Sequence, residues 1–88
     1  MNITLKKTKL EKNPNTKTTY NEIGTEVIEL TQEQYKNMTS YEGIRFFKAL
    51  GGSEYIERNY TARGYLITRL ISTSPDKLQK SVYEFEIS

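Results

Sequence analysis

The chain has 88 residues, a formal net charge of +2 and neither cysteine nor histidine. That length makes one domain, expected to span residues 1–88, which buries roughly 60–65 % of its unfolded surface, so its stability is modest and no disulfide adds to it. Without imidazole or thiol there is no ordinary neutral-pH general base, no sulfur nucleophile and no Cys/His zinc site, so neither a cofactor nor a metal is expected.

Charge is unevenly placed. Residues 1–20 hold five lysines against Glu11, giving +4, whereas residues 21–40 hold Glu22, Glu26, Glu29 and Glu33 against Lys36, giving −3. A dedicated duplex-DNA binder carries a more pronounced basic face, because its affinity comes largely from phosphate neutralisation. Two solvated faces of opposite sign are the plainer reading. The opening Met1–Leu10 alternates polar and apolar residues and lacks the continuous apolar stretch of a signal peptide, and no run approaches the ~18 residues that span a bilayer. A cytoplasmic protein with no membrane partner is expected, and the absence of cysteine suits that compartment. The glycosylation patterns at Asn2, Asn37 and Asn59 carry no weight without a secretion signal.

In chain order, Ile3 and Leu5 alternate with Thr4 and Lys6, the period of a half-buried strand. Asn13-Pro14-Asn15-Thr16 is a turn signal, and Lys17 to Ile23 resumes a Thr- and Tyr-bearing strand, so an N-terminal hairpin follows. Gly24 marks a bulge or bend before a short extended run from Glu26 to Leu30. Thr31-Gln32-Glu33-Gln34 has the capping-box form and opens a short helix through about Met38. Thr39-Ser40-Tyr41-Glu42 repeats the device and opens a longer helix, whose Ile44, Phe46, Phe47 and Leu50 form a core-facing stripe and which Gly51-Gly52 stops.

The remainder reads as sheet. Strands are expected over Tyr55–Ala62, Gly64–Ser72 and Lys80–Ile87, with a proline turn at Thr73–Lys77. Unbroken alternation with Ser72 opposite Lys80 puts Ile67 against Phe85, Tyr65 against Ile87 and Arg69 against Tyr83 on the core side. Thr68 and Leu66 then face Glu84 and Glu86 on the solvated side. The fold class is therefore α+β: an N-terminal β-hairpin, one short and one longer helix, and C-terminal antiparallel strands ending in a hairpin. A terminal strand with an open edge would allow a homodimer as readily as a monomer.

Catalytic patterns are few. There is no Gly-x-Ser-x-Gly elbow, and Gly51-Gly52-Ser53 lacks the Gly-Lys-Ser/Thr ending of a phosphate loop. Glutamate pairs (Glu54 with Glu57, Glu84 with Glu86) could build a metal-dependent hydrolase, but alternating glutamates on an outer strand are ordinary solubility and edge-protection residues. Arg63-Gly64-Tyr65 opens like the aromatic signature of RNA-recognition sheets, then fails: Leu66 replaces the small residue and Ile67 and Leu70 stand where stacking rings belong.

What remains is the distribution of arginine. Arg45, Arg58, Arg63 and Arg69 fall in one stretch, interleaved with Tyr55, Tyr60 and Tyr65, while eight of the nine lysines lie outside it. A guanidinium stacks on rings and grips carboxylate or phosphate with a planar fork, which an ammonium does not. Arg45, Tyr55, Arg58, Tyr60 and Arg63 are the candidate binding residues, suited to a protein interface or to single-stranded nucleic acid. A purely structural role stands beside these: Tyr65 in the core, Arg69 over the Tyr83 ring, and Arg58 paired with Glu54 or Glu57.

At Phe46-Phe47-Lys48-Ala49-Leu50-Gly51-Gly52-Ser53-Glu54, Gly64-Tyr65-Leu66-Ile67-Thr68-Arg69 and Ser72-Thr73-Ser74-Pro75-Asp76, the chain resembles small uncharacterised proteins of phages and mobile elements in low-GC Gram-positive bacteria, over roughly residues 26–87. The resemblance implies a context: a compact, cofactor-free accessory or anti-defence factor that acts by occupying a surface of a host protein, with nucleic acid as the alternative partner. It carries no residue roles.

Overall fold

The computed structural model describes residues 2–40, 42–44 and 53–88, with the backbone alone at Ser53 and Glu54. Among these residues, five antiparallel strands form one sheet: β1 (Ile3–Lys12), β2 (Tyr20–Leu30), β3 (Ser53–Thr61), β4 (Gly64–Thr73) and β5 (Gln79–Ile87), in the spatial order β2-β1-β5-β4-β3. Helix α1 (Gln32–Thr39) crosses one face, so the chain is a small α+β protein.

The N-terminal hairpin forms as the alternation predicts, but its second strand is longer. The two extended runs on either side of Gly24 are one strand, β2, and the interruption is a bulge. Lys9 pairs with Gly24 and Leu10 with Glu22, which leaves Ile23 as the extra residue. β1 is then central, paired with β2 on one side and β5 on the other. The two chain ends meet in that pairing, where Asn2 and Ser88 exchange backbone hydrogen bonds of 3.0 and 2.9 Å. This corrects the expectation of an open terminal strand. β5 lies inside the sheet, and the open edges are β2 and β3. Glu84 and Glu86 therefore sit on a sheet face, not along an edge.

The Thr31 cap is realised in full. The Gln34 backbone N–H donates to Thr31 Oγ1 at 3.1 Å, and the Thr31 N–H donates to Gln34 Oε1 at 2.9 Å. The next cap shifts by one residue from Thr39 to Ser40. Ser40 Oγ accepts from the Gly43 N–H at 3.1 Å and its carbonyl accepts from the Ile44 N–H at 2.9 Å, while the Thr39 hydroxyl bonds back to the Tyr35 carbonyl at 2.7 Å. Residues 42–44 are helical, and the rest of the predicted helix, with Phe46, Phe47 and Leu50, lies outside the described residues. A Cβ at Gly43 would fall within van der Waals distance of the backbone carbonyls of Asn37 and Met38, which explains glycine at this close approach.

The core lies between α1 and the sheet. Ile3, Leu5, Tyr35, Ile67, Leu70, Tyr83 and Phe85 are buried together, flanked by Leu30, Met38, Ile44, Ile56 and Ile87. Tyr35 anchors the helix: its ring meets Phe85 edge-on at 5.3 Å, and its hydroxyl donates to the Ile67 carbonyl at 2.7 Å. Cross-strand pairs put Ile3 beside Leu30 and Ile87, and Leu5 beside Ile28 and Phe85, all on this helix face. The opposite face carries a row of alternating sign, Lys6–Glu84–Arg69–Glu57, in which Arg69 and Glu57 approach to 3.6 Å.

The predicted β4–β5 register is wrong by one residue. Arg69 pairs with Glu84, Leu70 with Tyr83 and Ser72 with Ser81. The cause is a second bulge: Glu57 pairs with Arg69 and Arg58 with Ile67, so Thr68 is extra and the inward side switches there. Ile67 and Leu70, three residues apart, can both be buried because of it. Arg69 accordingly faces away from Tyr83, whose ring instead carries Lys7 Nζ at 5.7 Å.

Candidate functional site

Beyond Thr68 the hairpin of β3 and β4 leaves the sheet. The β4–β5 pairing runs from Thr73 to Arg69 and stops, while β3–β4 pairing continues through Arg58–Ile67 to Thr61–Gly64. A two-stranded arm results, formed by Arg58–Thr61 and Gly64–Ile67. Two features let the strands part. Thr68 breaks the register, and the Ile67 carbonyl is satisfied by the Tyr35 hydroxyl. Gly64, with φ of 141°, completes the reversal at the tip.

The arm gathers part of the predicted cluster. Register places Arg58, Tyr60 and Tyr65 on one face, the helix side of the sheet. The Arg58 guanidinium lies over the Tyr65 ring at 5.1 Å, and the Tyr60 and Tyr65 rings meet edge-on at 6.0 Å. All three are exposed, Tyr60 at 76 %. Arg63 stands exposed in the turn, its N–H donating to Thr61 Oγ1 at 3.3 Å. Tyr55 is exposed but pairs with Ile71 on the opposite face, apart from the others. Arg45 lies outside the described residues.

Two expectations change here. Tyr65, assigned to the core opposite Ile87, is 51 % exposed and pairs with Tyr60. Arg58, offered to Glu54 or Glu57, has its guanidinium over the Tyr65 ring, while Glu57 projects to the other face and pairs with Arg69; the Glu54 side chain lies outside the described residues. Tyr65 keeps the side of buried Ile67 and is exposed because β4 has parted from β5 beyond Arg69, which no local pattern in the sequence signals.

Chemically, the arm offers two ring faces, a guanidinium already oriented by stacking and a second guanidinium at the tip. Residues 58–68 contain Arg58 and Arg63 and no carboxylate. Such a surface stacks on planar groups and grips oxyanions. Elsewhere, among the described residues, no three carboxylates come together. Ser74 and Lys77 stand in the Ser-x-x-Lys spacing, but Ser74 Oγ is engaged in its own turn, donating to Asp76 Oδ1 at 2.5 Å and accepting from the Gln79 N–H at 3.1 Å. No helix among the described residues is long and apolar enough to cross a membrane.

Comparison with protein-family models, with curated proteins and with solved structures finds no match to this chain.

Proposed function

We propose that this chain is a non-catalytic binding protein that contacts a host protein through the β3–β4 arm. The observation that carries the reading is the exposed constellation of Arg58, Tyr60 and Tyr65, held in one geometry by ring and cation contacts. Tyrosine gives large contact area with few rotors to freeze, and arginine is the cation most often found at interface hot spots. An exposed ring on an arm stabilises the chain little by itself, so contact with another molecule is what gives it an energetic role. The resemblance to small phage and mobile-element proteins supports an accessory or anti-defence setting in the host cytoplasm.

The test is co-elution of the purified protein with individual purified host nucleases and polymerases, comparing the wild-type chain with Tyr60→Ala and Arg58→Ala. Each variant is expected to keep its circular dichroism spectrum and to bind at least about tenfold more weakly. A complex unaffected by both variants would remove the arm from the interface.

A second reading rests on a separate observation, the absence of carboxylates from residues 58–68. Single-stranded nucleic acid would stack on Tyr60 and Tyr65 and place phosphates against Arg58 and Arg63. Gel-shift titration over salt separates the two: nucleic-acid binding weakens steeply as salt rises, and no shift at low salt discards it.

A further inference from the structure

We propose that the free edge of β2 receives an extended, basic segment of another protein as a sixth strand, at a site distinct from the arm. Nine consecutive residues, Asn21–Glu29, are exposed, with Val27 at 64 % and Ile23 at 56 %. An edge of this length presents an unused row of backbone donors and acceptors. The bulge at Ile23 bends one end, but Gly24 to Leu30 pairs with Lys9 to Ile3 without interruption, which leaves a regular seven-residue edge.

Two observations specify the occupant. First, the helix face beside this edge carries an apolar groove of about 460 Å³, lined among others by Leu5, Ile28, Leu30, Met38 and Tyr83. Side chains of an added strand that project to the helix face would enter beside Ile28, which is how strand addition acquires sequence preference. Second, β2 contains Glu22, Glu26 and Glu29 and no lysine or arginine. None of the three carboxylates is in an ion pair within the described residues, and Lys7, the cross-strand partner of Glu26, directs its ammonium over the Tyr83 ring. A second copy of β2 would bring the same carboxylates into one seam, whereas a basic strand complements them.

Register defines the probe. For antiparallel addition, residues opposite Leu30 through Gly24 are matched by the heptapeptide Val-Lys-Val-Val-Lys-Thr-Val, with its lysines facing Glu29 and Glu26. Fluorescence anisotropy of this labelled peptide at low salt is expected to show saturable binding. Binding should weaken about tenfold or more when alternate peptide amides are N-methylated, or when Glu26→Lys and Glu29→Lys are introduced together. Replacing both peptide lysines by glutamate should restore binding to that double variant alone. Amide shifts on titration should cluster at residues 24–30 and at the groove. Tyr60→Ala and Arg58→Ala should leave binding unchanged, so failure here and failure of the arm are separable. The proposal is overturned by absence of binding at millimolar peptide, by equal binding of the N-methylated peptide, or by shifts confined elsewhere. Sedimentation showing a dimer that Val27→Lys dissolves would assign the edge to a second copy and equally overturn it.

Discussion

Lys77 is the one non-glycine residue with positive φ among those described, at 63°, in the turn between β4 and β5. Its N–H bonds to the Ser74 carbonyl at 2.9 Å, and its carbonyl accepts from the Tyr20 hydroxyl at 2.6 Å, so the conformation is held from both sides. A left-handed backbone costs an ordinary side chain about 1–2 kcal/mol, which glycine avoids at some cost in chain entropy. Lys77→Gly is therefore expected to stabilise the protein by about 0.5–1 kcal/mol, read as a raised midpoint in urea. In the same turn, hydrogen bonds from Ser74 and from the Leu78 N–H hold the Asp76 carboxyl below its usual value. A lowered folded-state pKa contributes stability above the unfolded value near 4, and that contribution is lost as pH falls through the folded value. Asp76→Asn should accordingly flatten the acid limb of a plot of melting temperature against pH, leaving the neutral plateau with a smaller slope toward it. The proline and aspartate of this turn were legible in the sequence. The strain at Lys77 was not, since residue type alone does not reveal φ.

At the scale of elements, α1 depends on Tyr35. Its hydroxyl closes the gap left where β4 parts from β5, so one side chain anchors the helix and satisfies the root of the arm. Tyr35→Phe keeps the ring contact with Phe85 but orphans the Ile67 carbonyl, and should cost about 1–2 kcal/mol in chemical denaturation. Burial pushes the Tyr35 hydroxyl pKa up. A raised folded-state pKa means that the contribution is complete below the unfolded value near 10 and is lost as pH rises through the folded value. The alkaline limb of the stability profile should be shallower in Tyr35→Phe than in the wild-type chain. The helix itself was readable from Thr31 and Gln34, because a capping box is local chemistry. Its partner on the sheet was not, because a hydroxyl 32 residues from its acceptor leaves no local pattern.

For the molecule as a whole, strand order decides what is indispensable. β1 and β5 are neighbours at the centre, and their pairing closes the chain end to end. Deleting residues 85–88 removes Phe85 from the core and three of the nine β1–β5 pairs. That truncation is expected to abolish cooperative thermal unfolding, whereas Tyr60→Ala, on the exposed arm, should shift the midpoint little. The two open edges are also set at this scale. β3 continues into the arm with its rings and guanidinium groups, and β2 runs beside an apolar groove with its carboxylates in no ion pair among the described residues. The two edges differ in chemistry, and neither was identifiable as an edge before the order was seen.

Periodicity and local chemistry in the sequence by themselves determined the strands, the two hairpins, the Thr31 cap and the stretch in which arginine and tyrosine gather. Tertiary structure alone decided the β2-β1-β5-β4-β3 order, the bulge at Thr68 that sent Arg69 to Glu57, and the parting of β4 from β5 that leaves Tyr65 exposed beside Arg58. The physical reason is that a strand's alternation names two sides without saying which is inner, and one inserted residue exchanges them for everything beyond it.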